Sequence, residues 1–98
     1  MGEWVCILRP PRATFIEDAT EEERSIMSDH FHYLEGLLAA GKLVLAGPSL
    51  GPLFGITIFE AETEEEARRI VADDPAVSSG LQTPELSCYR VSLLRGRD

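Results

Sequence analysis

Apolar and polar positions divide this chain into elements before any single residue is considered. Trp4, Val5, Cys6, Ile7 and Leu8 form a short run of strand-favouring residues that Pro10 and Pro11 end, which predicts a first strand over Glu3 to Leu8. Arg9 to Ala19 sustains no period and reads as a loop. Thr20 with Glu23 then forms a capping-box pattern, and Glu21, Glu22 and Glu23 suit the positive end of a helix dipole. Ile26, Met27, Phe31, Leu34, Leu37 and Leu38 follow at helical spacing, so a helix is expected from about Glu21 to Ala40, with Gly41 as its stop.

Lys42 to Ala46 reads as a second strand closed by Gly47 and Pro48, Ser49 to Pro52 as a turn, and Leu53 to Ala61 as a third strand. Thr63 and Glu66 repeat the capping pattern at the head of a second helix, whose stripe is Ala67, Ile70 and Val71. That helix is expected to end near Asp73 and Asp74, because a proline disfavours helical backbone in the residue before it. Pro75 to Gly80 starts another short helical turn, Glu85 to Leu94 a last strand, and Arg95 to Asp98 a frayed tail.

The order β-α-β-β-α-β places the chain in the α+β class. It matches the split βαβ, or ferredoxin-like, arrangement, with both helices on one face of a four-stranded antiparallel sheet. The opposite face needs a cover, and a second copy of the same chain supplies one most economically, so a homodimer is expected. Size points the same way. The 98 residues fit a single domain spanning 1–98, and so small a domain gains stability from a shared core.

Composition narrows the partners. With 44% hydrophobic and 27% charged residues the chain is an ordinary globular protein, and a net charge of -8 repels nucleic acid and anionic membrane surfaces. The N-terminal residues show neither a basic region nor a long apolar run, so no signal peptide or membrane span is expected and the cytoplasm is the expected compartment. Cys6 and Cys88 form no Cys-x-x-Cys or Cys/His cluster. They read as core thiols, with no metal and with a disulfide excluded if their strands lie apart.

His30 is the residue most suggestive of chemistry. At about 100° per residue it falls roughly 30° from the centre of the first helix's apolar stripe, whereas His32 points almost oppositely. An inward imidazole is either a satisfied structural group or a catalytic or ligand-binding one, its charge set by burial and neighbouring carboxylates. Asp74 is either a cap on the turn after Pro75 or a carboxylate that faces a pocket and orients His30. Gly47, Pro48 and Ser49 are either a plain turn or a source of amides for a ligand oxygen. No nucleophile elbow, phosphate loop, dinucleotide fingerprint or metal cluster is present.

The segments His30-Phe-His-Tyr-Leu34, Ala40-Gly-Lys-Leu-Val-Leu-Ala-Gly-Pro48 and Asp74-Pro-Ala-Val-Ser-Ser-Gly80 together resemble the YCII-related family. The most specific part is a histidine placed eleven residues before Gly-Lys-Leu and followed by Ala-Gly-Pro. The resemblance implies a dimeric α+β barrel, with a His-Asp pocket formed by His30 and Asp74 in each subunit and no cofactor. It spans a fold group of lactone isomerases and cofactor-independent oxygenases, and a family that includes dehalogenase-like activity on aromatic compounds. The chain departs from the simplest family form in its longer Arg9-Pro-Pro-Arg12 loop, whose arginines either bring positive charge to an anionic substrate or are merely solvated. Two functions are therefore expected to compete. One is a lyase, isomerase or dehalogenase acting on a small, anionic or aromatic molecule, with Arg9, Gly47, Pro48 and Ser49 at the substrate. The other is a non-catalytic ligand-binding or oligomerisation module.

Overall fold

The computed structural model describes residues 2–50 and 54–96. The chain runs β1 (Gly2–Arg9), α1 (Phe15–Asp18), α2 (Glu21–Ala39), β2 (Leu43–Pro48), β3 (Gly55–Ala61), α3 (Glu64–Ala72), α4 (Pro75–Ser78) and β4 (Thr83–Tyr89). The four strands form one antiparallel sheet in the order β2-β3-β1-β4, the ferredoxin-like topology.

Register assigns the faces. Trp4, Cys6 and Leu8 lie opposite Phe59, Thr57 and Gly55 on one side and opposite Cys88, Leu86 and Pro84 on the other, so these residues share a face. Cys6, Leu8, Phe59 and Ala61 of that face join Ala67 of α3 in the core, with Ile70, Val71 and Val77 packed against them. The helices therefore lie here. Val5 and Ile7, opposite Ile58 and Ile56, make the apolar centre of the other face.

Caps fix the helix ends much as the sequence suggests. The Thr20 hydroxyl accepts from the Glu23 amide at 3.1 Å, while the Glu23 carboxylate accepts from the Thr20 amide at 2.9 Å. At α3 the reciprocity is shifted: Thr63 accepts from the Glu66 amide, but Glu66 reaches back one residue further, to the Glu62 amide at 2.8 Å. Gly41 stops α2 with a φ of 78°, a left-handed conformation that lets the Gly41 and Lys42 amides close onto Leu38 and Leu37.

Four local expectations change. The stretch expected as loop contains the one-turn helix α1, organised by Arg12, whose guanidinium donates to Asp18 and twice to Glu23. That contact, aided by the Thr20 amide, holds the Glu23 carboxyl down at about 2. Gly47 and Pro48 belong to β2 instead of closing it, which an edge strand permits because it has a side without a ladder to break. Strand β4 begins earlier and ends earlier than expected, running over Thr83–Tyr89, again with a proline on an edge. Cys88 is exposed on that edge strand and is no core thiol. Its strand adjoins β1, so separation does not rule out a disulfide, but Cys88 faces Trp4 while Cys6 faces Leu86, and both thiols are free. Leu53, the expected start of the third strand, lies outside the described residues, as does part of the expected turn before it and the end of the expected tail.

Candidate functional site

The site is built where α2 meets the short helix α4. Pro75 at the head of α4 keeps Asp74 extended, with ψ at 125°, and the Asp74 side chain caps the helix by accepting from the Ala76 amide at 2.9 Å. The same carboxylate meets His30, whose Nδ1 lies 2.8 Å from both Asp74 oxygens. Asp74 is therefore a cap that also contacts His30, and it does not itself line the cavity beside the imidazole. Its side chain is 7% exposed and that of His30 is 13% exposed, against 72% for His32, as the helical phase of the two histidines requires.

A carboxylate accepting at Nδ1 puts the ring hydrogen on that nitrogen and leaves Nε2 for whatever occupies the space beside the ring. Neighbouring contacts hold the pair in place. One turn after His30, the Tyr33 hydroxyl donates to the Ile70 carbonyl at 2.7 Å, tying α2 to α3. Burial, with the nearby charges of Asp73 and Asp74, pushes that phenol up to about 12. Below the sheet surface, burial likewise raises the Cys6 thiol to about 11, so it is an inert core group.

The space beside His30 is a cavity of about 590 Å³ between α2 and the β2 and β3 end of the sheet. Its walls are largely apolar, from Met27, Phe31, Leu34 and Leu38 on the helix to Leu43 and Ala46 on the strands. Polar side chains come from His30, Glu35, Thr57 and Gln82. Such a volume, largely apolar with a few convergent polar groups, is typical of small-molecule sites.

The expected site residues divide. Gly47 and Pro48 line the cavity, and a Cβ at Gly47 would meet no atom within 4 Å. Ser49 does not line it; its amide donates to the Phe54 carbonyl at 2.8 Å, and Pro48 has no amide hydrogen, so the backbone of these two residues offers no amide donor to a ligand oxygen. Arg9 also lies off the cavity and pairs with Glu85 at 3.0 Å. Gln82, Glu35 and Thr57 reach the cavity without having drawn notice in the sequence. Gln82 stands between Leu81 and Thr83, and no period or motif marks it. Among the described residues no group of three or more His, Cys, Asp or Glu could hold a metal ion, and no helix is long and apolar enough to cross a membrane.

Comparison with known proteins agrees with this architecture. The model of the YCII-related domain matches residues 4–85, most of the chain, and the protein belongs to that family. A similar solved structure is 5-chloro-2-hydroxyhydroquinone dehydrochlorinase (TftG) from Burkholderia phenoliruptrix AC1100 in complex with 2,5-dihydroxybenzoquinone. It is 25% identical, with a TM-score of 0.67 over 89% of this chain and 93% of that chain. The fold is thus the ferredoxin-like protomer of the dimeric α+β barrel group. No curated protein matches the sequence.

Proposed function

We propose that this member of the YCII-related family is a small-molecule enzyme of the lyase or dehalogenase type, in which His30 is the general acid/base and Asp74 its positioning partner. The observation that carries the reading is the contact of Nδ1 with both oxygens of a buried carboxylate at 2.8 Å, at the wall of a largely apolar cavity. The dehydrochlorinase activity of the similar solved structure supports the choice of reaction class.

In this reading Nε2 takes a proton from a substrate hydroxyl, and the imidazolium formed is stabilised by Asp74. On an aromatic substrate this follows a tautomerisation in which a first hydroxyl proton moves to the halogen-bearing ring carbon, leaving a carbonyl and making that carbon saturated. The second O–H bonding pair then becomes a carbonyl, the adjacent π pair shifts, and the halogen leaves that carbon with its bonding pair. The sum is loss of hydrogen halide, which needs no oxidant or reductant. The chain's own side chains suffice for the step as written. The apolar walls supplied by Met27 and Leu34 lower the local polarity, which strengthens the charge interaction that forms.

The test is chloride release from 5-chloro-2-hydroxyhydroquinone by the wild type and by His30→Gln, which retains an N–H for Asp74. The variant is expected to lose about 100-fold or more in rate, with the melting temperature nearly unchanged. Equal rates would refute the reading.

We further propose that the functional unit is a homodimer in which the sheet faces bearing Val5, Ile7 and Ile56 pack together. These side chains are only half-buried in the single chain, beside Leu45 at 43% exposure. Sedimentation at micromolar concentration should give twice the chain mass, and a monomer there would remove the proposal.

A further inference from the structure

The cavity offers a ligand few polar partners, and most of those on its walls are already engaged or out of reach. Among the described residues four polar side chains line it. Glu35 is 56% exposed and pairs with His32 at 3.1 Å, so it belongs to the outer surface of α2. The side-chain oxygen of Gln82 is enclosed and inaccessible to a ligand. Nδ1 of His30 is taken by Asp74, which leaves Nε2. The fourth is Thr57, a buried residue at 7% exposure.

Strand register aims Thr57 inward. It lies opposite Cys6 on β1 and Ala46 on β2, on the face that carries the helices, so its side chain projects from the sheet toward α2. It lines the cavity together with His30, and it also lines the small void that Asp74 borders. Thr57 thus stands at the inner end of the cavity, beside the His30 and Asp74 pair and away from the exposed rim of Phe31 and Leu38. Its hydroxyl makes no side-chain hydrogen bond among the described residues. The Gln82 oxygen is the one described atom that is both enclosed and unpartnered, so the Thr57 hydroxyl keeps contact with open space. The void behind it, about 10 Å³, is at the lower limit for a single water, whereas the cavity in front measures about 590 Å³. A turn about one side-chain bond exchanges hydroxyl and methyl, which brings the oxygen to the cavity from either rotamer. The strand itself needs no hydroxyl there. Valine has nearly the same shape and suits a strand equally well, and a buried hydroxyl without a partner costs stability. A ligand oxygen supplies the missing partner.

We infer that Thr57 is a ligand-binding residue, whose hydroxyl donates to a ligand oxygen at the inner end of the cavity while Nε2 of His30 addresses a second oxygen from the helix side. In the reaction proposed above, the partner of Thr57 is the oxygen that becomes the first carbonyl. This inference rests on the cavity being the ligand site of that reading, but not on the catalytic step.

Calorimetric titration of the full chain and its variants with 2,5-dihydroxybenzoquinone, the ligand of the similar solved structure, tests the assignment. Thr57→Val should weaken binding about five- to tenfold, with the unliganded melting temperature level or raised. Thr57→Ser keeps the hydroxyl and should stay within about threefold of the wild type. Thr57→Ala repeats the measurement if the valine variant folds poorly. Unchanged affinity in the folded variant lacking the hydroxyl overturns the inference. So do equal losses in the serine and valine variants, the mark of a packing role, and absence of binding by the wild type. Binding that valine weakens and serine restores, without chloride release from 5-chloro-2-hydroxyhydroquinone, supports the inference and refutes the catalytic reading alone. Chloride release and affinity both untouched by Thr57→Val overturn the inference and leave the catalytic reading standing.

Discussion

The two halves of the helical layer rest on the same face of the same sheet, yet one is closed and the other open. Over the half covered by α3 and α4, Ala67 and Ala76 are fully buried and Phe59 is 1% exposed, and where α2 meets these helices, between Leu37, Ile70 and Val77, the void measures only about 10 Å³. Over the other half, under α2, the cavity is about 590 Å³, and Phe31 and Leu38 at its rim are 61% and 60% exposed. The difference lies in the side chains at the contact. Alanines let a helix backbone approach the sheet closely, whereas the helix carrying Met27, Phe31, Leu34 and Leu38 stands off on large side chains. Gly55, on the helix-bearing face of β3, leaves part of the gap unfilled. His30 and Asp74 sit on the seam, with the carboxylate anchored in the closed half and the imidazole lining the open one. A catalytic pair gains from that placement, because one member is held rigidly while the other has access to ligand.

The contrast can be broken most strongly from the closed side. Phe59→Ala should cost about 3 to 5 kcal/mol in denaturant unfolding, because close-packed surroundings cannot collapse onto the void it leaves. A loss below about 1 kcal/mol would mean that half is not tightly packed. On the open side, Phe31→Ala should change unfolding free energy by less than about 0.5 kcal/mol while slowing chloride release from 5-chloro-2-hydroxyhydroquinone. A large stability loss there would show that Phe31 is covered in solution, and that the open half is closed by something beyond this chain's own fold.

Much of the fold was legible from local pattern. The period of the first helix, the Thr20 and Glu23 box, the Gly41 stop and the Pro75 break are interactions between residues close in sequence, so the residues alone announce them. The inward phase of His30 and the outward phase of His32 belong to the same class. Reading failed where a distant partner decided. Arg12 turned an apparent loop into a helical turn by reaching Glu23, eleven residues ahead. Cys88 looked like a core thiol because an edge position cannot be seen from one strand alone.

Sequence by itself therefore determined the element order, the ferredoxin-like class and the direction of His30, because helical and strand periods and caps act over a few residues. Tertiary structure decided which groups meet His30 and what space lies beside it. The contact with Asp74 spans 44 positions, and Gln82 comes to the cavity only because α4 folds back beneath α2. Arg9 and Ser49 stay away from it for the corresponding reason, that Glu85 and Phe54 are their neighbours in space. The number and chemistry of a pocket's walls depend on which large and small side chains oppose one another across layers, and that is a property of packing that no local period encodes.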